Sequence, residues 1–184
     1  MIRVLFLALS LFFSCQLAKA GDTTLVKLNE LRDVFMKASY DKTLLSKVDS
    51  ALLDYTALTA VKKAYEGAKI ALTAREQWNP FEQVSVLKDG LVLINAAVAS
   101  DPDNLEVRFI RFATLHHVPS FLGLSDNLPG DKTYIYNHIS DMKKLGMTYE
   151  FSQSVYKFIS NSGRFTEAEQ QYFLVELGKV FVAK

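Results

Sequence analysis

Asn79-Pro80-Phe81-Glu82 at one end and Asp101-Pro102-Asp103-Asn104 at the other bracket the stretch that decides the fold. Between them apolar residues recur at Val84, Leu87, Leu91, Ile94, Ala97 and Val98. That three-and-four spacing places them on one face of an α-helix. Asn79 supplies an N-cap oxygen, Pro80 stands where a missing N–H costs nothing, and Glu82 completes a capping box. Asp101-Pro102 ends this helix, and Asp101 is the expected cap of the next. The next helix carries Leu105, Phe109, Phe112 and Ala113 and halts before Pro119.

The same period extends both ways. Leu25, Leu28, Leu31, Val34 and Phe35 predict a helix capped by Asp22 or Thr23. Leu44, Leu45, Val48, Leu52 and Leu53 predict a shorter one. Tyr55 or Thr56 opens a third, carried by Val61, Ala64, Tyr65, Ala68, Ala71 and Leu72. Its alanines and Gly67 leave room for a neighbouring helix to come close. Three more helices are predicted near 131–145, 148–161 and 166–182. Thr166 and Glu169 form a second capping box, and Gly146 and Asn161-Ser162-Gly163 are stop signals. No run alternates with a period of two. The expected fold is all-α: about eight short helices in antiparallel pairs, stacked as an α-solenoid or as an irregular bundle.

Residues 118–131 break this pattern. Pro119, Gly123, Pro129 and Gly130 interrupt regular structure, yet Val118, Phe121, Leu122, Leu124 and Leu128 are apolar. A solvated linker has no use for them, so a long connection packed onto the helices is expected.

Residues 1–20 have the layout of a secretory signal peptide. Met1-Ile2-Arg3 is a short basic start, Val4 to Phe13 is apolar, and Ala18-Lys19-Ala20 fits a peptidase site before Gly21. Residues 21–184 then form a single domain. The leader predicts export to the periplasm or envelope of a Gram-negative bacterium, or release from it. The only cysteine is Cys15, inside the leader, so the mature domain has no disulfide and no thiol chemistry. Ser14-Cys15 also admits a lipoprotein reading, with an acyl anchor on Cys15. Phe12 and Phe13 fit that motif poorly.

The full chain has 21 Lys+Arg against 20 Asp+Glu; without Arg3 and Lys19 the balance is 19 against 20. No basic excess offers itself to nucleic acid. No second apolar stretch is expected to be long enough to span a membrane.

Gly90, Ile94, Ala97 and Pro102 stand at the small, large, small and Pro positions of a tetratricopeptide repeat, and the segment resembles the second helix of that repeat. Phe109, Phe112 and Ala113 would begin the following repeat, one position out of register. The family's roughly 34-residue period does not continue on either side. Arg108-Phe109-Ile110-Arg111-Phe112, Pro119-Ser120-Phe121-Leu122-Gly123, Asn127 and Asp131-Lys132 resemble a run in short exported helical proteins of Bacteroidetes bacteria. That resemblance implies an envelope-side protein and brings no activity.

Arg108 and Arg111 neighbour each other on one helix edge. They either tether the following connection through Glu106, Asp126 or Asp131, or hold an anionic ligand in their planar forks. Arg108, Arg111, His117, Phe121, Asn127, Asp131 and Lys132 make up the expected interaction surface, facing a protein partner in the envelope. His116 and His117 are adjacent and point apart, so a metal site would need His138 as well. One of the pair is expected to bond a backbone carbonyl at the helix end, where the dipole favours a charged ring. No nucleophile elbow, phosphate loop or catalytic triad spacing occurs, so no catalytic residue, cofactor or metal is assigned. The sequence thus favours an exported interaction module, with an anion-binding protein or small enzyme and a lipid-anchored accessory protein as alternatives.

Overall fold

The helical period is realised as eight α-helices, with no strand, in the computed structural model, which describes residues 23–182. They are α1 (23–38), α2 (Leu45–Asp54), α3 (Ala60–Thr73), α4 (Pro80–Ser100), α5 (Leu105–His116), α6 (Leu128–His138), α7 (Tyr149–Asn161) and α8 (Glu167–Val182). The leader, Cys15, the Ala20–Gly21 junction and the Asp22 cap lie outside the described residues. Helices pack in pairs, α3 on α4, α5 on α6 and α7 on α8, and α5 also touches α3 and α4.

Caps set the helix starts. Asn79 Oδ1 accepts from Phe81 N at 2.9 Å, but the expected box with Glu82 does not close; Gln83, one residue on, reaches back past the cap to Gln77 O instead. The Thr166–Glu169 box closes in both directions, at 2.7 and 3.2 Å. Two expected caps are displaced. Asn104, not Asp101, caps α5, accepting from Glu106 N and Val107 N, and Asp101 instead holds the Asn104 amide. Helix α3 starts at Ala60 under Thr59, because Tyr55 turns its ring into the core and Lys62 ties down its carbonyl.

The connection after α5 is shorter than expected. Pro129 is compatible with a first helical turn, whose N–H groups have no partner anyway, so α6 begins at Leu128. The turn Ser120–Leu122 interrupts what remains. Val118 and Leu128 are buried, and Leu122 and Leu124 pack on the core. Phe121 does not pack: it is 84% exposed. Helix α6 also ends early, at His138, and a 3-10 turn covers Ile139–Met142.

Contact between α3 and α4 is unusually close at Gly67 and Gly90. A β-carbon on Gly67 would sit 2.5 Å from Gly90 O, and one on Gly90 would sit 2.5 Å from Gly67 O. Gly67 also faces Leu93 and Ile94 while Gly90 faces Ala71, so the two helices run antiparallel. Helix α4 is in fact long and apolar enough, by length and composition alone, to cross a membrane. Here Gly90, Leu91, Ile94, Ala97 and Val98 give it a buried face like that of a core helix.

The deepest feature is ionic. Arg32 on α1 and Glu106 on α5 are each 1% exposed. Arg32 Nε donates to Glu106 Oε1 at 2.8 Å and Nη2 to Oε2 at 2.6 Å. Its remaining N–H groups go to Asn29 Oδ1, Gly146 O and Leu145 O. Gly146, at φ +64°, turns its carbonyl into this network in a conformation that an L side chain resists. Tyr65 on α3 donates its hydroxyl to Glu106 at 2.8 Å. Burial beside that carboxylate holds the phenol well above its usual pKa. Burial alone would lower the Arg32 guanidinium, but its bonds and charge to Glu106 outweigh this and raise it.

Removing one partner of such a pair strands the other charge, at a cost of about 3–5 kcal/mol. Glu106→Gln is therefore expected to lose stability on that scale in urea or thermal unfolding. A loss below about 1 kcal/mol would show that the pair is not the structural tie described.

Candidate functional site

Two of the seven residues expected to form a surface are buried. Asp131 has no exposure and Arg111 is buried. Arg111 grips Asp131 through Nε and Nη2 at 2.6 and 2.8 Å and reaches Asn95 with Nη1. Arg108 adds a bond to Asp131 Oδ1 at 3.1 Å, another to Pro102 O, and lies over the Tyr134 ring. This is the tether: two arginines on α5 fix the first turn of α6. Arg111 and Asp131 are therefore unavailable to a partner. Lys132 pairs with Glu169 at 3.0 Å and covers Phe165. Asn127 is exposed beside the start of α6 and makes no side-chain cap.

His117 and Phe121 belong instead to a feature that the sequence did not disclose. A cleft of about 1140 Å³ opens between helices. Its walls come from the ends of α1 (Phe35, Met36) and α3 (Tyr65, Ala68, Ala71, Leu72). The start of α4 adds Pro80, Phe81, Val84 and Leu87. Helix α5 contributes Phe109, Ile110 and Ala113, and α7 contributes Phe151 and Phe158. Small residues on α3 and α5 leave the space, and aromatic rings border it. Tyr65 links the cleft to the buried Glu106, and Phe35 meets Tyr65 edge-on at 5.0 Å. At the mouth Phe81 is 86% exposed and Phe121 84%, and Trp78, just before α4, is 98% exposed.

The charged groups at the cleft are cations, accompanied by imidazoles and by neutral polar groups such as Gln83, Ser85 and Asn161. Arg75, Lys88, His116 and His117 line it, and no carboxylate does. Thr114, Ser39 and Ser162 also line it, but each hydroxyl is bonded to a backbone carbonyl of its own helix or segment. No hydroxyl among these three is poised as a nucleophile.

The histidine pair is placed differently from expectation. His116 Nδ1 accepts from Arg164 Nε at 3.1 Å rather than bonding a carbonyl. The two rings meet edge-on at 4.8 Å, and both lie against Phe158. Desolvation and the Arg164 charge lower the His116 pKa; desolvation, His116 and Arg75 lower that of His117. Burial, with the arginine charges adding to it, thus outweighs the helix-end dipole. His138 is away on α6, stacked on Tyr134 at 4.0 Å. Among the described residues no group of His, Cys, Asp or Glu is placed to hold a metal ion.

Arg32 had a signal in the sequence: it interrupts the apolar stripe of Leu28, Leu31 and Phe35, where a charge needs a buried partner. Arg75 and Lys88 had none, because concavity arises only when five helices meet. No protein-family model, curated protein or solved structure matches the chain.

The imidazoles give a pH test. Their folded-state pKa values lie below the ordinary 6.5, so the unfolded chain binds protons first as pH falls. Stability from this source is complete above pH 6.5 and is lost as pH drops through the folded-state values. The melting temperature should fall on acidification from pH 7 to 5, and less steeply in a His116→Gln/His117→Gln variant. Superimposable pH profiles for the two proteins would refute this.

Proposed function

We propose that the chain is a binding protein whose cleft takes a small molecule with an extended apolar body. The carrying observation is the cleft itself: about 1140 Å³, walled by aliphatic and aromatic side chains. Small-molecule sites usually span roughly 300–1,000 Å³, so this one suits an elongated guest better than a compact one. Rigid walls support the reading too, since Tyr65 is fixed by Glu106 and Phe35 packs against it.

The export address belongs to the same proposal. A leader at residues 1–20 would deliver the protein to the bacterial envelope, where apolar metabolites need a soluble carrier or receptor. An envelope protein that takes over the cargo would be its partner. The tether at Arg108, Arg111 and Asp131 gives that partner no charged handle, so the exposed aromatics at the cleft mouth are the better candidates for contact.

N-phenyl-1-naphthylamine, a neutral apolar dye, should brighten on binding the purified protein at micromolar concentration. Ala113→Trp, which fills the cleft, should abolish the signal while helical circular dichroism is retained. No brightening with the native protein would remove the reading. For export, mass spectrometry of the protein from its own cells should find a chain starting at Gly21; an intact Met1 would overturn export, and an acylated Cys15 would overturn release in favour of an anchored form.

A further inference from the structure

The arginines among the described residues fall into two groups. Arg32, Arg108 and Arg111 are spent on buried carboxylates. Arg75, which lines the cleft, and Arg164, which bonds His116 of its lining, are not. Arg75 sits on the turn Ala74–Glu76 after α3, and its one hydrogen bond is a long 3.5 Å contact to Ser39 O. Arg164 spends its Nε on a neutral imidazole nitrogen, His116 Nδ1. Neither makes an ion pair among the described residues. Glu76 and Glu82 are the nearest acids to Arg75 along the chain, and Glu167 and Glu169 the nearest to Arg164; Glu169 is paired with Lys132, and the other three are exposed and bonded to neither arginine nor imidazole.

Three elements converge here. The turn after α3 brings Arg75, the end of α5 brings His116 and His117, and the segment between α7 and α8 brings Arg164. Burial is the first cause of the depressed imidazole pKa values, and the neighbouring charges of Arg164 and Arg75 add an uncompensated repulsion. An anion placed among them would relieve it. Arg75 offers a planar fork for a carboxylate or sulfate, and His117 offers a ring N–H from the same wall. Apolar surface begins directly beside them, at Leu72, Ala113 and Val118.

We propose that the cleft binds an anionic amphiphile: a single carboxylate-type head held by Arg75 and His117, with a long apolar chain along the cleft. This rests on the reading of the cleft as a small-molecule site and names the ligand class. Arg164 acts from behind, keeping His116 neutral and directing its other ring nitrogen, as an N–H donor, toward the head.

Displacement of N-phenyl-1-naphthylamine separates the two claims. Laurate, 1-dodecanol and dodecyltrimethylammonium share one chain and differ in the head. Laurate should displace the dye at least tenfold more tightly than dodecanol, and dodecyltrimethylammonium should be the weakest. Arg75→Gln, and separately His117→Gln, should cut the laurate advantage to about twofold and leave dodecanol unchanged. Arg75 is exposed, so the variant is expected to fold, and Arg75→Lys should restore part of the preference. Equal displacement by laurate and dodecanol would overturn the head site and leave the apolar cleft standing. A preference for laurate that survives Arg75→Gln and His117→Gln together would also overturn it. Failure of the dye to bind at all would remove both.

Discussion

One buried guanidinium orders this protein. Arg32 has five N–H groups, and each finds an acceptor: two on Glu106, one on Asn29, and the carbonyls of Leu145 and Gly146. Burying two charges is costly, and only near-complete satisfaction of both offsets it. The geometry that achieves this fixes α1 against α5 and draws in the turn before α7. Tyr65 shares the same carboxylate and so sets the rotation of α3. Phe35 and Tyr65, both on the cleft wall, stand where they do because of that arrangement.

Arginine serves two opposite ends in one small fold. On α5, Arg108 and Arg111 close on Asp131 and turn an irregular connection into a fixed approach to α6. Arg75 on the cleft rim and Arg164 beside His116 make no ion pair among the described residues. Burial decides between the roles: a charge at zero exposure must be paired within the chain, while one at a rim is hydrated until something replaces the water. Thus the sequence pair that drew most attention as a binding surface is the structural one, and a pair without pattern lies where a ligand can reach.

Local signals carried the helices well. The Asn79-Pro80 start and the Thr166–Glu169 box depend on residues within one turn, and both stand as expected. Where two local rules competed, the outcome was not local. Asp101 and Asn104 both suit an N-cap, and Asn104 takes the position because Asp101 can hold its amide. Pro129 reads equally as a breaker or a first-turn residue, and the grip of two arginines on Asp131 favours the second. Apolarity likewise did not reveal whether Phe121 turns inward; it stays at the cleft mouth. The cleft itself lay beyond such rules, because its walls are gathered from five helices and a connection.

The backbone contact between Gly67 and Gly90 bears on how this sequence can drift over generations. At most core positions a gain of volume on one side can be balanced by a loss on the other. Here each absent side chain makes room for the other residue's carbonyl oxygen, 2.5 Å from where a β-carbon would stand. A carbonyl cannot be made smaller by mutation, so neither site has a compensating partner. Descendants that keep this packing must hold both glycines unchanged. Two invariant positions carry no covariation, so a method that infers contacts from correlated substitutions would miss one of the closest helix contacts in the fold.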